Sequence, residues 1–167
     1  MSELLWDEVD VFFDPGLTGA LPDGCVPGTT VEDWQALLDL VGSSGWAWEV
    51  AVGRDTAPGP LPTAARLLGR SPDDECHVLR VWPVPGVQVN LWPLDPDRID
   101  YDFDLRELQG QAGVDVVCGF LTAVGRRLGK PAGMGSEGSP DPLIEYDPAL
   151  DRVVLRDGPA AARRGGR

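Results

Sequence analysis

The chain has 167 residues, 43% of them apolar, with 27 acids against 14 bases and a net charge of −13. That length suffices for the core of one domain. The negative surplus disfavours nucleic acid and anionic membranes as partners and favours basic ones.

Residues 1–53 hold ten acids and neither Lys nor Arg, so this third of the chain carries most of the surplus. Within it, Val9, Val11 and Phe13 alternate with Asp10, Phe12 and Asp14, which predicts a strand. A loop is expected from there to Gly28, with Pro22-Asp23-Gly24 as a turn. Thr29 and Glu32 have capping-box spacing. They precede a helix whose apolar stripe is Trp34, Leu37, Leu38 and Val41. Alternation from Trp46 to Val52 predicts a second strand. Pro58, Pro60 and Pro62 form a stiff connection, and Thr63 to Leu68 a short helix.

Cys76–Trp82 and Val87–Trp92 read as strands joined through Pro83-Val84-Pro85-Gly86, and the flanking prolines place at least one of them at a sheet edge. In the next strand, Ile99, Tyr101, Phe103 and Leu105 alternate with Asp100, Asp102, Asp104 and Arg106, so the pleat turns three Asp to one face. The longest helix spans about Gly113 to Leu128 along Val114, Val117, Leu121, Val124 and Leu128, with Arg126 and Arg127 at its C-terminal dipole. Gly133-Met134-Gly135-Ser136-Glu137-Gly138 reads as a flexible loop. It lacks the Lys of a P-loop and the following helix of a dinucleotide fingerprint. Leu143–Tyr146 and Arg152–Leu155 form a last hairpin. The expected organisation is one α+β domain over residues 1–157, a largely antiparallel sheet with two main helices packed on one face, and a disordered tail over 158–167.

Chemistry-bearing motifs are sparse. His77 is the only histidine, and Cys25, Cys76 and Cys118 are scattered. No catalytic constellation, zinc set or cofactor motif emerges from them. Cys118 fits a helix core. Counted as an EF-hand loop, the run from Asp95 places Asp100 where Gly is needed and Arg106 where Glu is needed, and starting at Asp97 fails likewise. A solvated strand face, a partner-facing acidic patch and a site for a hard cation outside the EF-hand pattern each account for these acids. Exposed Trp beside acids is what an interface anchor looks like. The candidate partner-binding set is therefore Asp97, Asp100, Asp102, Asp104, Trp82 and Trp92. The acidic N-terminus has no signal-peptide pattern and no run spans a bilayer, so a cytoplasmic home is expected. Thirteen Arg against one Lys (Lys130) suggests a GC-rich bacterial genome.

The acidic strand Asp100 to Arg106 leads into the long helix ending Arg126-Arg127-Leu128-Gly129-Lys130-Pro131. Glu137-Gly138 and the hairpin around Tyr146-Asp147-Pro148 follow. This C-terminal half resembles the small immunity proteins of bacterial polymorphic-toxin systems, although the Gly-Met-Gly stretch departs from the strand expected there. The resemblance implies a cytoplasmic, non-catalytic inhibitor that binds one toxin, typically basic, and blocks its active site; it assigns no residue-level site. Two other classes stay open: a small-ligand binder or enzyme with a pocket of Trp and carboxylates, and a non-catalytic subunit of a bacterial complex. A deep pocket holding a carboxylate of raised pKa points to the ligand binder, and a flat or convex acidic face to the inhibitor.

Overall fold

The computed structural model describes residues 4–71, 73–139 and 141–156. The expected tail over 158–167 lies outside them. The described chain is an α+β fold built on one nine-stranded antiparallel sheet.

The chain opens with helix α1 (Trp6–Val9), a 3-10 turn (Asp10–Phe13) and helix α2 (Pro15–Thr18). The strand expected over Val9–Phe13 is therefore helical. Adjacent Phe12 and Phe13 are both buried, and a half-buried strand cannot send neighbours to one face. Strand β1 (Asp23–Pro27) follows where a turn and loop were expected. Helix α3 (Val31–Ser43) buries Trp34, Leu37, Leu38 and Val41. Its capping box is Thr30 with Asp33, one residue later than the sequence spacing suggested. Thr29 is instead buried, its hydroxyl donating to the Pro96 carbonyl at 2.8 Å.

Strands β2 (Ala47–Val52) and β3 (Asp55–Ala57) precede helix α4 (Ala64–Leu68). Then come β4 (His77–Val84), β5 (Val87–Trp92) and β6 (Arg98–Phe103). Helix α5 (Gly110–Leu128) leads to β7 (Ala132–Gly135), β8 (Pro142–Asp147) and β9 (Arg152–Leu155). The glycine-rich loop expected at 133–138 thus begins as a fully buried strand.

Strand order across the sheet is β3-β2-β4-β5-β6-β1-β7-β8-β9. Both β4 and β5 are interior, contrary to the edge expected from their prolines. Pro83 is tolerated because it falls in the register break between Val81 and Val84.

Helices α3 and α5 pack on one face of this sheet. There α5 buries Val114, Val117, Phe120, Leu121 and Val124 against inward-facing Val89, Leu91, Tyr101, Phe103, Met134 and Ile144. Phe120 meets the rings of Tyr101 and Phe103 edge-on, with centroids 5.4 and 5.6 Å away. Cys118 is buried in the same core. Among the described residues the other face of the central strands is left open, and the candidate site lies on it. No helix among the described residues is long and apolar enough to cross a membrane.

Candidate functional site

The open face is written in ladder rows. One row runs Glu49, Arg80, Asn90, Asp102, Asp23 across β2, β4, β5, β6 and β1. The next runs Trp92, Asp100, Cys25, Gly133, Glu145 across β5, β6, β1, β7 and β8. Two neighbours in the second row, Cys25 and Gly133, are small. A hollow therefore opens over β1 and β7 between larger side chains on β5, β6 and β8. It forms a cleft of about 720 Å³ that opens to solvent, a size usual for ligand pockets, which span roughly 300–1,000 Å³.

Both central strands owe their glycines to close approach. The Tyr101 ring passes beneath β1, and its hydroxyl donates to the Gly133 carbonyl at 2.7 Å. A Cβ on Gly24 would overlap that ring. On the cleft side, a Cβ on Gly133 would come 2.8 Å from Cβ of Pro142, and one on Gly135 would overlap the Asp141 carbonyl. Thus only glycine lets β8 and its lead-in lie this close to β7.

Carboxylates dominate the rim and walls: Asp23, Asp97, Asp100, Asp102, Asp141 and Glu145 line the cleft, with Arg98. Apolar surface from Trp92, Leu94, Pro27 and Pro142 lines it too. Neutralisation is uneven. Arg98 lies 2.8 Å from Asp100, and Arg156 lies 3.0 Å from Glu145. In the same ladder row as Asp102, Glu49 is paired with Arg80 at 2.8 Å.

Asp102 has only neutral donors among the described residues. Asn90 Nδ2 donates to its Oδ1 and Trp92 Nε1 to its Oδ2, each at 2.8 Å. Gln88 in turn donates to Asn90 Oδ1 at 2.8 Å, which orients the Asn90 amide. Asp23 faces Asp102 directly across the ladder and accepts the Gly138 N–H. Burial raises the Asp102 pKa, the Asn90 and Trp92 bonds oppose that, and the charges of Asp23 and Glu137 add to it.

On the cleft floor, burial also raises the Cys25 thiol, against the pull of Arg98. A thiol so raised is the reverse of an activated thiolate. Among the described residues, no group of three or more His, Cys, Asp and Glu is disposed to hold a metal ion.

Of the six residues singled out from the sequence, the cleft gathers Asp97, Asp100, Asp102 and Trp92. It does not include Asp104 or Trp82. Asp104 leaves the strand to cap the 3-10 turn Leu105–Glu107 and is held by Arg106 at 2.7 Å. Half-buried Trp82 sits on β4 opposite Ala47, two strands from β6. Sequence reasoning missed Asp23, Cys25, Gly133, Asp141 and Glu145. The alternate glycines 133 and 135 were the available signal, since glycine inside a strand marks a bulge or close approach.

Compared with known proteins, the chain matches no family model, no curated protein and no solved structure.

Proposed function

We propose that this protein is a binding protein of the inhibitor type, which captures a basic protein on the acidic cleft of its open sheet face. In its most specific form this is an immunity protein that occupies the active site of a basic toxin domain, in keeping with the resemblance of its C-terminal half. The observation that carries the reading is the pair Asp23 and Asp102, which no base among the described residues neutralises. Like charges opposite one another on adjacent strands oppose folding, whereas the neighbouring acids Glu49, Asp100 and Glu145 each have an arginine. A face whose described residues offer its central pair no base is suited to a cation supplied from outside. The charge surplus would also speed the encounter by steering.

One observation favours a second reading, a small-ligand-binding protein: the acidic face is hollowed, with a half-buried carboxyl of raised pKa inside it. Co-expression separates the two. The chain is produced with each basic toxin domain encoded in its own genome, and host growth is scored. The inhibitor reading expects rescue from one domain, weakened by Asp23→Asn or Asp102→Asn and unaffected by Asp104→Asn. Absence of rescue from every domain, with saturable one-to-one binding of a small organic cation, would replace it with the second reading.

A further inference from the structure

The open face offers more than negative charge, and its layout selects among cations. Asp102 is held by a donor on each oxygen, so its carboxylate plane is preset rather than free to turn. Each oxygen keeps further acceptor capacity. Asp23 supplies a second carboxylate directly across the ladder, at the roughly 4.5–5.5 Å Cβ separation of cross-strand pairs. Trp92 lines the same cleft with its indole N–H tied to Asp102, and Leu94 and Pro27 add apolar surface to the lining.

A preset carboxylate plane, a second carboxylate nearby and an aromatic wall suit a planar, many-donor cation on an apolar stem. A guanidinium has five N–H groups in a rigid fork, bonds carboxylates in pairs and stacks on indole; an ammonium is a compact, strongly hydrated point charge that gains less from a fixed plane. From this charge and shape complementarity we infer that the Asp23–Asp102–Trp92 end of the cleft is a receptor for one arginine side chain of the protein partner. The inference rests on the proposed capture of a basic protein and narrows it to one anchoring residue. The guanidinium bridges Asp102 and Asp23 across the ladder, and its methylene stem lies along Trp92 and Leu94.

The test uses the full-length protein and three capped amino acids as probes: arginine, lysine and citrulline, the last a neutral isostere of arginine. The indole N–H signal of Trp92, assigned by its loss in Trp92→Phe, is followed by NMR during titration. Capped arginine should shift it saturably and bind about tenfold or more tighter than lysine, as expected for a planar bidentate site, with citrulline inert. Asp23→Asn and Asp102→Asn should each weaken arginine about tenfold or more, while Asp104→Asn changes nothing. Asp23→Asn retains the acceptor for Gly138 N–H, so it keeps the test decisive if Asp102→Asn folds poorly. Equal binding of lysine and arginine, a citrulline response matching arginine, or parental affinity in Asp23→Asn would overturn the inference. Rescue from a toxin without any arginine response would sink this receptor and leave the inhibitor reading standing. An arginine response without rescue would uphold the arginine chemistry, reject a protein as its bearer and sink the inhibitor reading.

Discussion

At Asp102 the folded state holds a proton more firmly than the unfolded chain does, because burial, with Asp23 and Glu137, raises its pKa over the opposition of Asn90 and Trp92. A carboxyl raised in this way lowers stability at pH above its folded pKa. That loss is recovered as pH falls below the unfolded value. Asp104 has the reverse sign. The Arg106 side chain pulls its pKa down, so its stabilising effect is present above the unfolded pKa and is lost as pH falls through the folded one. Urea unfolding at about pH 7 and about pH 3, on either side of the ordinary Asp pKa, should separate the two. Relative to the parent, Asp102→Asn should fare better at the higher pH than at the lower one. Asp104→Asn should be weaker than the parent at the higher pH and converge with it at the lower one. Only the pH dependence is diagnostic for Asp102→Asn, since an Asn there also misplaces a donor against Asn90 or Trp92. If both variants move the same way with pH, the two carboxyls do not differ in environment as described.

Within α5, glycines of opposite consequence lie six residues apart. A Cβ on Gly119 would meet nothing within 4 Å, so there the residue only adds backbone freedom to the unfolded chain. Gly119→Ala should stabilise the protein by about 0.5–1 kcal/mol. A Cβ on Gly125 would overlap the Tyr146 ring, through which the last turn of α5 packs on β8. Tyr146 is fixed in turn by its hydroxyl, which donates to Asp151 at 2.6 Å, and Asp151 also accepts from Arg126 of the same helix. Gly125→Ala should therefore cost about 1–3 kcal/mol by overpacking, despite the better helix propensity of alanine. Chemical denaturation of the two variants measures the contrast directly. A gain in both would mean that the Tyr146 ring yields to the helix without cost.

For the whole molecule, a net charge of −13 makes self-repulsion a cost of folding, and salt screens it. The melting temperature of the free protein should rise between roughly 0.01 M and 0.15 M NaCl, over which the Debye length falls from about 30 to 8 Å. Binding of the proposed basic partner should weaken over the same interval, chiefly through slower association. Thermal scans and association rates taken across one salt series check both signs. Stability that falls with salt would show that local ion pairs such as Arg80–Glu49 outweigh the long-range surplus.

Hydrophobic periodicity by itself determined the two main helices, the β4–β5 and β8–β9 hairpins and the inward face of β6, because each has one buried face that leaves its period in the residues. Composition likewise displayed the acidic block. The Val9–Phe13 segment misled because Phe12 and Phe13 are both buried, which no period of two describes. Strands β1 and β7 were illegible for a different reason. Their glycines answer to neighbours on other strands: Gly24 to Tyr101, far along the chain, and Gly133 to Pro142 at the start of β8. The tertiary structure alone decided that Asp23 stands opposite Asp102, that Cys25 and Gly133 make the floor, and that Asp104 turns away to Arg106. A residue pattern records which side of its own element is buried; the cleft depends on which strands lie side by side, and that is settled by pairings between segments distant in sequence.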